Sequence, residues 1–354
     1  MKTYELNDKN VKLIGRTYPF EGNLWSAFSG TGIEFDFEGE YLAIILLADE
    51  SCKEEKGENL ARYAVLIDGE EKFKGMLDKE KTELVVFDSA SKARVQVIKL
   101  SECAMSTMGI APLVTDDNAK VTPAPERSRK IEFIGDSITC GYGVDDEDAT
   151  HNFKTSTEDC TGAYAYKAAR LLDADYSLVS ISGYGIISGY TATAESKIPE
   201  QTVPQYYKSL GFSYNKFAGK LAPQDIPWDF SRYIPQAVVI NLGTNDDSYC
   251  LDHADRQRDY TDNYKLFLKE VRANNPDAFI FCTVGIMGTR IYKALETAVN
   301  EYKAESEDTK ILSYCFTEQD HENDGYAADY HPTRKTHDKA SKAISQVIKE
   351  TMGW

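Results

Sequence analysis

The chain has 354 residues, 42% of them hydrophobic and 27% charged, and its 57 acidic and 40 basic residues leave a net charge of −17. That length suits about two soluble domains with sizeable cores. A surface this acidic repels phosphate backbones and anionic lipids, which argues against nucleic-acid and membrane partners and favours neutral or cationic ones.

The longest apolar run, residues 41–48, falls well short of the roughly 20 residues that a spanning helix needs. The start, MKTYELNDKN, has no apolar core of the secretory kind, so the expected location is cytoplasmic. The seven cysteines (Cys52, Cys103, Cys140, Cys160, Cys250, Cys282 and Cys315) are widely spaced and contain no Cys-x-x-Cys. This excludes a cysteine metal framework and argues against a disulfide framework, leaving free buried thiols in a reducing compartment.

Residues 1–122 read as one all-β domain. Ile33, Phe35 and Phe37 alternate with Glu34, Asp36 and Glu38, which predicts a half-buried strand. Residues 63–67 run into Asp68-Gly69, a strong hairpin signal, and 84–87 and 95–100 add two more strands. Short strands at regular spacing predict an antiparallel sandwich. Residues 121–130, VTPAPERSRK, predict a linker.

Residues 123–354 read as a second, α/β domain. Strands are predicted at 131–134, 176–181, 237–242, 278–284 and 311–315. Helical spacing appears at 163–172, in Tyr260, Tyr264, Phe267, Leu268 and Val271, at 291–302, and in Ala340, Ala343, Ile344, Val347 and Ile348. Such alternation predicts a mostly parallel, doubly wound, five-stranded sheet with helices on both faces, and with flavodoxin-like order 2-1-3-4-5 the turns after its first three strands are neighbours. Residues 185–228 break the rhythm; they are rich in Pro, Gly and Tyr, which marks a functional loop.

Ligands of such sheets bind at the carboxyl ends of the strands. The turns there read Gly135-Asp136-Ser137, Ser182-Gly183-Tyr184-Gly185 and Gly243-Thr244-Asn245-Asp246. They offer a hydroxyl, a glycine N–H and a side-chain amide, the parts that acyl transfer needs. Ser137 suits a nucleophile, and also a helix N-cap. The N–H groups of Ser137 and Gly183 with the Asn245 amide suit an oxyanion hole. Asp136 suits fixing the turn rather than chemistry. Of five histidines, His331, in Asp329-Tyr330-His331-Pro332 ahead of the last helix, is placed to act as base. The stretch 135–143 lacks the Gly-Lys-Ser/Thr ending and the spacing of a nucleotide loop, and His331 and His337 have no matching ligand set, so no metal or other cofactor is expected.

IEFIGDSITCGYG, SISGYG, VINLGTND and DYHP, in that order, resemble the four blocks of the SGNH (GDSL-type) hydrolases. Gly15-Arg16-Thr17, residues 29–34 (SGTGIE) and residues 227–232 (PWDFSR) are similar to carbohydrate esterase family two, which includes acetylxylan esterases. The resemblance implies a jelly-roll sandwich joined to an SGNH catalytic domain. It also implies a serine esterase that removes O-acetyl groups from xylan-type or related oligosaccharides through an acetyl-serine. Alternatives are a non-catalytic carbohydrate-binding protein, or a lipase, thioesterase or acyltransferase of the same family. An acetylated carbohydrate is then the expected partner, and a homo-oligomer is left open.

Many SGNH members place an aspartate three residues before the histidine. Here Ala328 holds that position, and Asp329 follows it. Either Asp329 completes a triad or a backbone carbonyl orients His331; the offset of two favours the carbonyl. Tyr330, Trp228, Tyr184 and Tyr142 are either core aromatics or sugar-stacking faces, and the first three are the candidate substrate contacts.

Overall fold

The structure is a computed structural model that describes residues 1–54 and 57–354. It forms two compact units. The first comprises Met1–Arg127 with Lys154–Asp159 and Ser209–Trp228; the second comprises Ser128–Phe153, Cys160–Lys208 and Asp229–Trp354. Two later stretches of chain therefore belong with the N-terminal unit. One of them, Ser209–Trp228, is the second half of the long loop.

The first unit is a sandwich of a seven-stranded and a six-stranded antiparallel sheet. In the six-stranded sheet, Gly32–Gly39 lies between Ser91–Lys99 and Lys120–Pro123. Residues 121–123, the start of the expected linker, thus lie in a strand. The core joins Ile33, Phe35, Phe37, Val65, Val95 and Val97 of this sheet to Leu42, Ile44 and Leu46 of the other. The alternation at 33–38 holds on the apolar side. On the polar side Glu34 is buried, because Lys12 of the neighbouring strand pairs with it at 3.3 Å. Arg62–Ile67 and Glu70–Met76 form the expected hairpin, and Asp68 and Gly69 take φ of 51° and 86°. Two left-handed residues match the right-handed twist of the strands.

In the second unit the strands are β1 (Arg129–Gly135), β2 (Ala174–Ser180), β3 (Ala237–Asn241), β4 (Phe279–Val284) and β5 (Ile311–Cys315). All pair in parallel, in the flavodoxin-like order β2-β1-β3-β4-β5. The helices are α1 (Ser137–Cys140), α2 (Tyr164–Leu171), α3 (Thr244–Cys250), α4 (Ala254–Asn274), α5 (Tyr292–Ser306), α6 (His321–Asp324) and α7 (Arg334–Met352). Ile131 to Gly135 and all of β3 are buried on both faces, as helices above and below a parallel sheet require. Within the sheet Gly135 pairs with both Ser180 and Asn241, so the loops after β1, β2 and β3 leave side by side.

Among the described residues no helix is long and apolar enough to cross a membrane. Among the described residues none of the seven cysteines is in a disulfide, and five of them are buried.

The sandwich gives a stability test with an internal contrast. A Cβ on Gly32 would sit 1.8 Å from the Val97 carbonyl oxygen across the strand pair. A Cβ on Gly69 meets nothing within 4 Å, but its φ of 86° disfavours an L side chain. Thermal and denaturant unfolding should therefore show a loss of about 3 kcal/mol or more for Gly32→Ala. Gly69→Ala should lose only about 1–2 kcal/mol. Equal losses would contradict this packing.

Candidate active site

β1 ends at Gly135, and the chain turns at once into α1. Asp136 is the N-cap: its Oδ1 accepts from Ile138 N–H at 3.0 Å. Because Asp136 takes the cap, Ser137 is left with its hydroxyl uncommitted to the helix. Its Oγ lies 2.9 Å from His331 Nε2. The N-cap alternative for Ser137 is thereby replaced by a contact with the expected base.

His331 comes from the loop between β5 and α7. Its Nδ1 lies 3.1 Å from the backbone carbonyl oxygen of Asp329, which fixes the tautomer: Nδ1 carries the proton and Nε2 accepts. The Asp329 carboxylate does not complete a triad. Its Oδ2 accepts from Tyr142 O–H at 2.5 Å and from Phe153 N–H at 3.0 Å. These distant partners hold the carboxylate, while local backbone geometry directs the carbonyl. Asp329 and Tyr330 are both left-handed, with φ of 50° and 61°, and this turn aims the carbonyl of Asp329 at the imidazole. Ala328 is fully buried against Gly143: a Cβ there would lie 2.9 Å from that of Ala328.

Burial pushes His331 down to about 4, against the pull of the Asp329 carbonyl and carboxylate, so the imidazole is neutral at ordinary pH. The Tyr142 ring lies against it, with centroids 3.9 Å apart and planes 20° apart. Sequence reasoning missed this role. The only signal was an aromatic between two glycines, five residues after Ser137.

Gly183, in the loop after β2, has φ of 79° and open space where a side chain would stand. Among the described residues the N–H groups of Ser137 and Gly183 donate to no protein acceptor. The Asn245 amide, at the start of α3, is less free than expected. Its Nδ2 donates to the Tyr184 carbonyl at 3.0 Å and faces Asp136 Oδ2 at 3.3 Å. Burial pushes Asp136 up to about 7 and Asp246 up to about 6, and the charge of Asp246 adds to the rise at Asp136. Asp246 holds the loop after β2 by accepting the N–H groups of Ile186, Ile187 and Ser188. Sequence reasoning offered this residue only as part of a turn.

The aromatic candidates divide. Tyr330 is 57% exposed beside His331. Tyr184 is buried, with its ring against Tyr206 and its carbonyl on Asn245. Trp228 is also buried, in the first unit, with the Arg16 guanidinium 5.1 Å from its ring centre. Neither Tyr184 nor Trp228 presents an open face, because each serves its own unit's packing. Among the described residues no three His, Cys, Asp or Glu side chains converge around Ser137 and His331 as metal ligands. The site's polar groups face one another, in the arrangement of a hydroxyl nucleophile with its base.

Residues 133–339 match the GDSL-like lipase/acylhydrolase family, and residues 13–125 match the carbohydrate esterase 2 N-terminal domain. A cellulase/esterase of Acetivibrio thermocellus is 36% identical over 242 residues, 67% of this chain but only 27% of that protein's length. An acetylxylan esterase/glucomannan deacetylase of Cellvibrio japonicus is 26% identical over 357 residues, 99% of this chain and 92% of that one. The solved structure of a family two carbohydrate esterase from Clostridium thermocellum in complex with cellohexaose is 28% identical, covers 97% of this chain and 99% of its own, and superposes with a TM-score of 0.81. With its catalytic-end motifs and both parts of its length matched, the chain belongs to the GDSL-like lipase/acylhydrolase family and begins with a carbohydrate esterase 2 N-terminal domain.

Proposed function

We propose that this protein is a serine esterase that removes O-acetyl groups from xylan-type or related oligosaccharides through an acetyl-serine intermediate. The contact that carries this reading is Ser137 Oγ to His331 Nε2 at 2.9 Å, with Nδ1 held by the Asp329 carbonyl. His331 takes the Ser137 proton as Oγ attacks the acetyl carbonyl, and returns it to the leaving sugar oxygen. Water then repeats the sequence on the acetyl-serine, releasing acetate. The N–H groups of Ser137 and Gly183 stabilise the tetrahedral oxyanion, joined by the Asn245 amide N–H that leaves Asp136 Oδ2 to do so. The exposed ring of Tyr330 offers a stacking face for a sugar. The carbohydrate substrate is supported by the names of the relatives, and the acid-free dyad is chemically sufficient because the orienting acid is the triad member whose loss costs least.

Acetylated xylo-oligosaccharide, offered to wild type and to Ser137→Ala, tests the reading. Acetate release by wild type and none by the correctly folded variant is expected. Activity in Ser137→Ala above a few per cent overturns the mechanism, and octanoyl esters turned over as fast as acetyl esters would favour a lipase.

Asn245→Ala should lower kcat by on the order of 10²–10³ with little change in KM. A raised KM with kcat intact would make Asn245 a ground-state binding group instead.

The pH profile follows from the depressed imidazole. A base must be neutral to act, and His331 stays neutral down to about 4. The acid limb of kcat/KM should therefore lie near pH 4, well below the 6.5 of an unperturbed histidine. A limb at 6.5 would show that the ring is not buried in this way.

A further inference from the structure

Two side chains beside the dyad are not used by the chemistry above: the Tyr142 phenol and the Asp329 carboxylate. We infer that together they form a brace that positions His331, with the carboxylate acting on the backbone turn rather than on the imidazole. The inference rests on His331 being the base.

The brace starts at the nucleophile. Tyr142 N–H donates to the Ser137 carbonyl at 3.1 Å, so the turn that carries Ser137 also sets the tyrosine. From there the phenol ring lies flat on the imidazole, and its hydroxyl reaches the Asp329 carboxylate. That carboxylate also takes Phe153 N–H, and Asp329 N–H donates to the His151 carbonyl at 3.0 Å. Ala328 N–H donates to the Asp146 carbonyl at 2.9 Å.

These bonds oppose a backbone that would relax without them. Two consecutive left-handed residues other than glycine cost on the order of 1–2 kcal/mol each. Released from Tyr142 and Phe153, the turn has a lower-energy path in which the Asp329 carbonyl leaves Nδ1. His331 would then lose both its tautomer and its aim. In a conventional triad the acid touches the imidazole. Here the acid holds the carbonyl that does so, through a hydroxyl belonging to the nucleophile's own segment. The ionisable groups about the ring are Asp329 on its own loop, Tyr142 behind α1 and His337 on α7.

The test uses the full chain and p-nitrophenyl acetate, which makes no sugar contacts. It reads kcat, KM, the acid limb and the melting temperature. Asp329→Asn keeps an acceptor oxygen and tolerates the left-handed turn, so kcat should fall by less than about tenfold. Asp329→Ala and Tyr142→Phe both cut the tether and should lose roughly 10–100-fold in kcat with KM nearly constant. The double variant should be no worse than the poorer single, because the two groups act as one unit. In Tyr142→Leu the ring loses its cover, and the acid limb should move up from about 4 towards 6.5.

An Asp329→Asn loss as large as that of Asp329→Ala would overturn the inference, since the charge itself would then act on the imidazole. So would additive losses in the double variant, or wild-type kcat in Tyr142→Phe. If Asp329→Ala does not fold, Tyr142→Phe, which removes one oxygen, decides alone. Activity in His331→Ala would instead sink the esterase mechanism, whereas an inactive His331→Ala beside a fully active Tyr142→Phe removes the brace only.

Discussion

The hydrogen bond from Ser137 Oγ to His331 Nε2 joins residues 194 apart in the chain, and both of its ends are set within the second unit. One end is set by the parallel sheet: β1 runs to Gly135 and delivers Ser137 at the start of a helix. The other is set by a loop that must turn twice through left-handed conformations before α7 begins. Neither end is rigid by itself. The sheet register fixes the first, and the tethers on Ala328 and Asp329 fix the second.

Buried carboxyls shape the same end of the sheet. Asp136 and Asp246 are both fully buried, and burial of a charge is costly unless hydrogen bonds meet it. Asp246 meets that cost with the N–H groups of residues 186–188, and in doing so sets the course of the loop that carries Gly183. Asp136 caps α1 and faces the Asn245 amide. Each acid stands next to a group assigned to the reaction, and each works by holding backbone or amide in place.

The depressed imidazole and the absent triad acid have one origin. A carboxylate on Nδ1 would favour the protonated ring, whereas a carbonyl and a phenol face do so far less, and burial then dominates. His331 therefore stays neutral down to about 4.

The sequence by itself determined that the second unit is a parallel sheet with helices on both faces, because unbroken apolar runs and amphipathic helices alternate; the order of the strands is decided by their pairing in the sheet. Ser137, Gly183 and Asn245 each follow a strand within a few positions, so their place at the carboxyl ends of neighbouring strands was legible as well. The carbonyl reading of His331 was legible too, in the alanine at 328. What only the tertiary structure decided depends on non-local packing. Nothing local in the sequence says that Tyr142 lies on His331, that Trp228 belongs with the sandwich, or that residues 120–123 pair as a strand with Gly32–Gly39. Exposure of an aromatic and the direction of a carboxylate are set by neighbours distant in sequence, as at Asp329, whose side chain finds its partner 187 residues away in Tyr142. Periodicity records which face of an element is buried; it carries no record of what that face meets.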